Sequence, residues 1–112
     1  MLLTNEKVKS YEFLRDMAED NYFPSQLVDK GKAILLDLCQ EIEAKSPRSL
    51  AELYVLTHAA TEQFNQLSEE FWENGSEIET VARENIGADF AFIASVYSFE
   101  ADVEELIATR EW

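Results

Sequence analysis

Hydrophobic residues recur along this chain at steps of three and four, the spacing that lines one face of an α-helix. From about Asn5 to Asp20, the residues Val8, Tyr11, Leu14 and Ala18 keep this rhythm behind Asn5, whose side chain suits a helix N-cap. Asn21, Tyr22, Phe23 and Pro24 mark its end. Pro24 fits the first turn of a second helix, because its missing N–H would have no intrahelical acceptor there. Leu27, Val28, Gly31, Ile34, Leu35, Leu38, Cys39 and Ile42 then follow at offsets of 0, 1, 4, 7, 8, 11, 12 and 15, the cleanest amphipathic pattern in the chain.

Ser46 and Pro47 break that helix, and a third starts at Ser46 or at Ser49, the latter with Glu52 three residues on as a capping box. Leu50, Leu53, Thr57, Ala60, Phe64, Leu67 and Phe71 form its stripe, and Asn74 and Gly75 close it. Ser76 with Glu79 predicts the capping box of a fourth helix, reached through a three-residue turn. That helix carries Ile78, Val81, Ala82, Ile86, Phe90, Ile93 and Tyr97, and between Phe90 and Phe99 apolar residues fall on nearly every face, as expected of the central, most buried element. The Phe, Ile, Val and Tyr of this stretch also suit a strand. A short last helix over Glu100 to Thr109 presents Val103, Leu106 and Ile107, and Trp112 is expected to dock on the bundle in preference to a partner. The expected fold is all-α, a compact bundle of four long helices plus a short C-terminal helix, in a single domain over 1–112.

Composition changes this picture mainly through charge. A hydrophobic fraction of 46% supports a core without metal or disulfide, and the one cysteine, Cys39, permits no internal disulfide. No apolar run is long enough for a membrane span, and no signal-peptide pattern opens the chain, so a cytoplasmic location is the expectation. The net charge is −14, with nearly all of it in one half. Residues 1–48 come to −2, whereas residues 49–112 hold only Arg83 and Arg110 against fourteen carboxylates, a net of −12. Such a field opposes nucleic acid and anionic membrane, whose binding depends on basic side chains, and attracts a basic partner. The same charge also serves solubility.

Candidate chemistry is sparse. His58, the only histidine, has Glu62 four residues later on one helix face, and two ligands fall short of the three or four protein ligands zinc usually takes. The simpler reading is a boundary histidine paired with Glu62. Glu62, Glu69, Glu70 and Glu73 with Glu77, Glu84 and Asp89 suggest a di-metal bundle, but Val55 stands where the Glu-x-x-His step requires Glu, and there is no second histidine. Lys30, Gly31 and Lys32 lack the other residues of a phosphate loop, and Gly31 instead allows close helix approach. Cys39 sits on an apolar stripe as a core residue, and no resident cofactor is expected. Phe71 and Trp72 are adjacent and so point to different faces, which predicts that one is exposed among Glu69, Glu70, Glu73 and Glu77. An aromatic side chain among carboxylates resembles an interaction hot spot. Packing of Trp72 on a neighbouring helix is the alternative.

The segments NYFPSQLVDKGK from Asn21 to Lys32, ENGSEIETVARE from Glu73 to Glu84 and FEADVEELIATREW from Phe99 to Trp112 resemble those of a small bacterial family classed as a domain of unknown function, number 5713. The resemblance covers nearly the whole chain. It implies a bacterial, cytoplasmic, helical protein and brings no activity or catalytic residue with it. The leading expectation is a non-enzymatic interaction or regulatory protein that engages a basic protein through Glu69, Glu70, Trp72, Glu73 and Glu77. The rivals are a metal-binding protein or metal-assisted enzyme using His58 and Glu62, and a structural homo-oligomer joined through Phe90 to Phe99.

Overall fold

The eight apolar residues spaced along the second predicted helix decide the centre of the molecule. In a computed structural model, which describes residues 3–112 and leaves the first two positions outside it, all eight are buried on one helix, α3 (Ser25–Lys45). It pairs antiparallel with α4 (Leu50–Glu73), which buries Leu53, Thr57, Ala60, Phe64, Leu67 and Phe71 from the predicted stripe, while Leu50 stays exposed. Ser49 caps α4, its Oγ accepting from the Glu52 amide at 3.1 Å, and Glu52 reaches back to the Arg48 amide. The third long helix, α5 (Thr80–Val96), packs against α3 and brings Phe90 to Phe64 of α4 with ring centroids 6.0 Å apart. Three short helices, α1 (Glu6–Ser10), α2 (Arg15–Ala18) and α6 (Val103–Leu106), cover α5, and among the described residues there is no strand.

The helix predicted over 5–20 is broken into α1 and α2. Asn5 caps α1 as expected, accepting from the Lys7 and Val8 amides at 2.9 and 3.1 Å. The chain then leaves the helical path at Tyr11, and Leu14 turns into the left-handed region at φ 54°. The cause is tertiary. Asp89 of α5 takes the Leu14 amide at 2.7 Å and the Tyr11 hydroxyl at 2.7 Å, and Asn85, one turn earlier, takes the Met17 amide at 3.0 Å. These two side chains cap α2 from another helix, taking the amides of Leu14 and Met17 in place of a local acceptor. As a result Phe13 and Met17 are buried where Ala18 was expected, and Ala18 is exposed.

The Ser76–Glu79 capping box also does not form. Gly75, at φ 80°, closes α4 with its amide on the Trp72 carbonyl at 3.2 Å and the Ser76 amide on the Phe71 carbonyl at 2.9 Å. Ser76 is thus the last link of α4 and cannot open α5. Glu79 takes the N-cap position with no side-chain bond. The last helix is shorter than predicted, one turn capped by Asp102 on the Glu104 amide at 2.8 Å. No described helix is long and apolar enough to cross a membrane.

Two contacts tie the short N-terminal elements to the long helices. Gly31 lies under Leu14, and a Cβ built there would meet Leu14 Cδ1 at 2.7 Å and Phe64 Cε1 at 3.3 Å. Glu43 of α3 accepts from the Thr4 amide at 2.8 Å, the Thr4 hydroxyl at 2.9 Å, the Asn5 amide at 3.3 Å and the Tyr97 hydroxyl. Desolvation pushes the Glu43 carboxyl upward, but these donors, Tyr97 and Thr4 foremost, favour the charged form and hold it at about 2.

Gly31→Ala is expected to lower stability by about 1–2 kcal/mol, because overpacking against the left-handed Leu14 outweighs the helix propensity gained; urea unfolding should show a lower midpoint at unchanged slope. Because its folded-state carboxyl lies below the ordinary glutamate value of 4.5, Glu43 contributes stability that is present above that value and lost as pH falls toward about 2. The gap in unfolding free energy between the native protein and Glu43→Gln should therefore be constant near neutral pH and close between about pH 5 and about pH 2. Parallel urea titrations across that range check it.

Candidate functional site

Along α4 the polar residues His58, Thr61 and Asn65, at steps of three and four, form a stripe that holds the C-terminal segment. The Glu105 carbonyl accepts from His58 Nε2 at 2.7 Å, so that nitrogen carries the proton, and the imidazole stacks on Tyr54 at 5.8 Å. Thr61 bonds the Thr57 carbonyl at 2.8 Å and reaches the Leu106 carbonyl at 3.4 Å. Asn65 donates to the Thr109 carbonyl at 3.1 Å and accepts from the Glu111 amide at 2.8 Å. These bonds lay the segment along α4 and deliver Trp112 against Phe64, with ring centroids 6.1 Å apart. Trp112 is only 8% exposed and docks on its own fold, as expected.

One turn further along α4 the same face opens into a groove of 580 Å³, walled by Glu69, Trp72, Glu73, Glu77, Arg83, Glu111 and Trp112. Phe71 points inward and is fully buried, which turns its neighbour Trp72 out to 72% exposure. Of the residues singled out in the sequence, the fold brings Glu69, Trp72, Glu73 and Glu77 together. Glu70 projects elsewhere and forms an ion pair with Lys30 of α3. Sequence reasoning missed Arg83, Glu111 and Trp112 as walls of this groove, since they come from other elements and no local spacing links them to α4.

Behind the walls of the groove lie buried polar groups without a partner. Among the described residues, the buried side-chain nitrogens and oxygens without a hydrogen-bond partner are Ser76 Oγ, Arg83 Nε and Trp112 Nε1. Two of these belong to walls of the groove, and the third lies in the 74–79 loop beside it. A buried donor left without an acceptor costs about 1–3 kcal/mol. Arg110 sits over the Trp112 ring at 5.9 Å and bonds the Trp112 carbonyl at 2.7 Å, so the face of that indole is already engaged.

A second cleft, of 640 Å³, lies between α5 and the α1–α2 segment, lined by Tyr11, Arg15, Asp16, Glu84, Asn85 and Asp89 among others. Burial raises the Asp89 carboxyl above the ordinary range, against the Leu14 amide and Tyr11 hydroxyl that stabilise its charge. Burial and the bond to Asp89 likewise raise the Tyr11 phenol, which keeps it a neutral donor. Both Asp89 oxygens are occupied by bonds that shape the chain, so this carboxylate acts as a structural clamp.

The other candidate chemistry is engaged elsewhere. His58 bonds the Glu105 backbone instead of Glu62, which is exposed, and among the described residues no three His, Cys, Asp or Glu side chains gather as a metal site. Cys39 is fully buried, and burial pushes its thiol up to about 12, with Glu43 adding to the shift. It is therefore a protonated core residue at neutral pH. In the apolar stretch from Phe90 to Phe99, Phe90, Ile93 and Ala94 are buried, and Phe92, Val96, Tyr97 and Phe99 pack on the core while staying partly exposed. Phe92 stacks on Tyr11 at 3.7 Å, Tyr97 bonds Glu43, and Val96 and Phe99 pack on the core.

No match to the chain is found among curated proteins or among solved structures. The model of the family of unknown function DUF5713 matches residues 7–112, and the chain belongs to that family.

Proposed function

We propose that this protein is a non-enzymatic interaction protein that receives a basic region of a partner protein on the groove around Trp72. The observation that carries this reading is the 72% exposure of Trp72 beside Glu69, Glu73 and Glu77. An exposed tryptophan has no role in the fold's own core, and tryptophan is enriched among the residues that dominate binding energy at interfaces. Four carboxylates, those of Glu69, Glu73, Glu77 and Glu111, line the same groove, within a half of the chain whose net charge is −12. Charge of this kind raises the rate of encounter with an oppositely charged surface and selects against anionic partners. A regulatory role, occupying or presenting a basic protein, follows from such binding. The single free cysteine is compatible with a reducing, cytoplasmic setting.

The support for a non-enzymatic reading is the engagement of each reactive group. The Cys39 thiol is buried and protonated, His58 is tied to a backbone carbonyl, and both oxygens of Asp89 hold structural donors.

Affinity capture from a cell lysate at low salt tests the proposal. The native protein should retain a basic protein, with retention falling steeply as salt is raised, and Glu69→Lys with Glu73→Lys should abolish it. A control with the same change of charge, Asp29→Lys with Asp37→Lys on α3, should retain it. Equal loss in both double variants would reduce the effect to net charge and defeat the assignment of the groove.

A further inference from the structure

We infer that this protein forms a homodimer in which two copies meet antiparallel across the groove between α3 and α4, Asp37 of each facing Lys45 of the other and Val55 of each facing Ala59 of the other. This surface is separate from the Trp72 groove.

The two longest helices leave one side of their pairing uncovered. A groove of 430 Å³ runs between them, and every residue that lines it belongs to α3 or α4, so no other element borders it. Its floor is apolar, with Ile34, Leu38 and Ala60 buried there, and its α4 wall carries Val55 at 69% exposure. Val55 points away from the core stripe of α4, and a β-branched residue is a weaker helix former than an unbranched one. Within one copy its side chain therefore contributes little burial and little propensity. Charge singles out a second copy as the occupant. The chain carries −14, so two copies repel through most of their surface. Only Asp37, Glu41 and Lys45 bring charge to this groove, a net of −1, which makes it a face where that repulsion is small and where a basic partner finds little to attract it. Lys45 bonds Glu41 at 2.9 Å, while Asp37 pairs with no cation among the described residues.

The register of the two helices makes this face complementary to itself. Gly31 lies opposite Leu67 and Lys30 opposite Glu70, so ten residues further along α3, Glu41 is level with the turn of α4 from Val55 to Ala59. A two-fold axis that crosses both helices at this level lays each helix antiparallel on its own copy, as an isologous dimer requires. Asp37 and Lys45 stand one helical turn to either side of Glu41, so each Asp37 falls against Lys45 of the other copy. Val55 and Ala59 flank the same level, so each valine falls against an alanine, a larger side chain over a smaller one. The four helices then close as a bundle over apolar residues that one copy leaves open. Trp72 lies about 20 Å along α4 from Ala59, so the dimer presents two Trp72 grooves, both open.

Sedimentation equilibrium of the whole chain over a wide range of concentration tests this. The native protein should form dimers reversibly. Val55→Asp should be monomeric while keeping native helicity and the native unfolding midpoint, since position 55 is exposed. Lys45→Glu and Asp37→Lys should each weaken association about tenfold or more, because each sets like charges face to face. Asp37→Lys also makes the chain less acidic, so general repulsion between copies predicts the opposite sign for it. An equimolar mixture of these two single variants should recover dimers, since every 37–45 contact between the unlike copies then joins opposite charges. Asp37→Lys with Lys45→Glu in one chain should recover them as well.

A native protein that stays monomeric at every concentration overturns the inference and leaves the face to another occupant. Dimers that survive Val55→Asp place the interface elsewhere, and a mixture of the two single variants that remains monomeric removes the antiparallel register. Either result overturns it too.

Discussion

The fold depends on one buried carboxylate. Asp89, on α5 and 1% exposed, accepts from the Leu14 amide and the Tyr11 hydroxyl, while Asn85 one turn away accepts from the Met17 amide. A buried acidic group is tolerated only when its hydrogen-bonding capacity is met, and here the donors are the Leu14 amide at the start of α2 and the Tyr11 hydroxyl. Each side of this contact therefore resolves the other's difficulty. The segment from Tyr11 to Ala18 can leave the helical path because α5 supplies its cap, and α5 can bury Asp89 because that segment supplies the donors. Leu14 is thereby held in a left-handed conformation over Gly31, the one position on α3 whose missing side chain leaves room for it.

This clamp and the Glu43 pin secure the near-neutral half of the chain to the long helices, and they use polar groups that lie far apart in sequence. The acidic half is organised differently. There the polar stripe His58, Thr61, Asn65 grips backbone groups of residues 105–111, so the C-terminal segment is docked without drawing on any carboxylate of α4. Glu62, Glu69 and Glu73 are left facing solvent, and the end of that segment brings Trp112 and Glu111 to the place where α4 exposes Trp72. The groove is thus a by-product of how the tail is anchored: the wall it adds carries an indole N–H that the fold leaves without an acceptor.

Much of this was legible from spacing. The α3 stripe from Leu27 to Ile42 is buried residue for residue, and the α4 stripe fails only at Leu50, the first residue of the helix, which stays exposed. The adjacency of Phe71 and Trp72 implied that one would be exposed, and burial of Phe71 in the core decided which. The breaks were less legible. Ser76 followed by Glu79 has the signature of a helix start, yet the serine amide is consumed by the end of α4. Helix ends that lie six residues apart compete for the same residues, and local spacing does not say which end wins. The N-terminal helix failed for a different reason, since its interruption is caused by acceptors some seventy residues away.

What the sequence by itself determined is the helical class, the buried faces of the long helices, the membership of the chain in its family and the concentration of charge after residue 48. Periodicity and composition are local or additive, so they can be read without coordinates. What only the tertiary structure decided is which polar groups meet. It set Glu70 against Lys30, His58 against a backbone carbonyl and Asp89 against Leu14, and it gathered Arg83, Glu111 and Trp112 around the carboxylates of α4. Hydrogen bonds and ion pairs are directional and short in range, so their partners depend on how the helices pack.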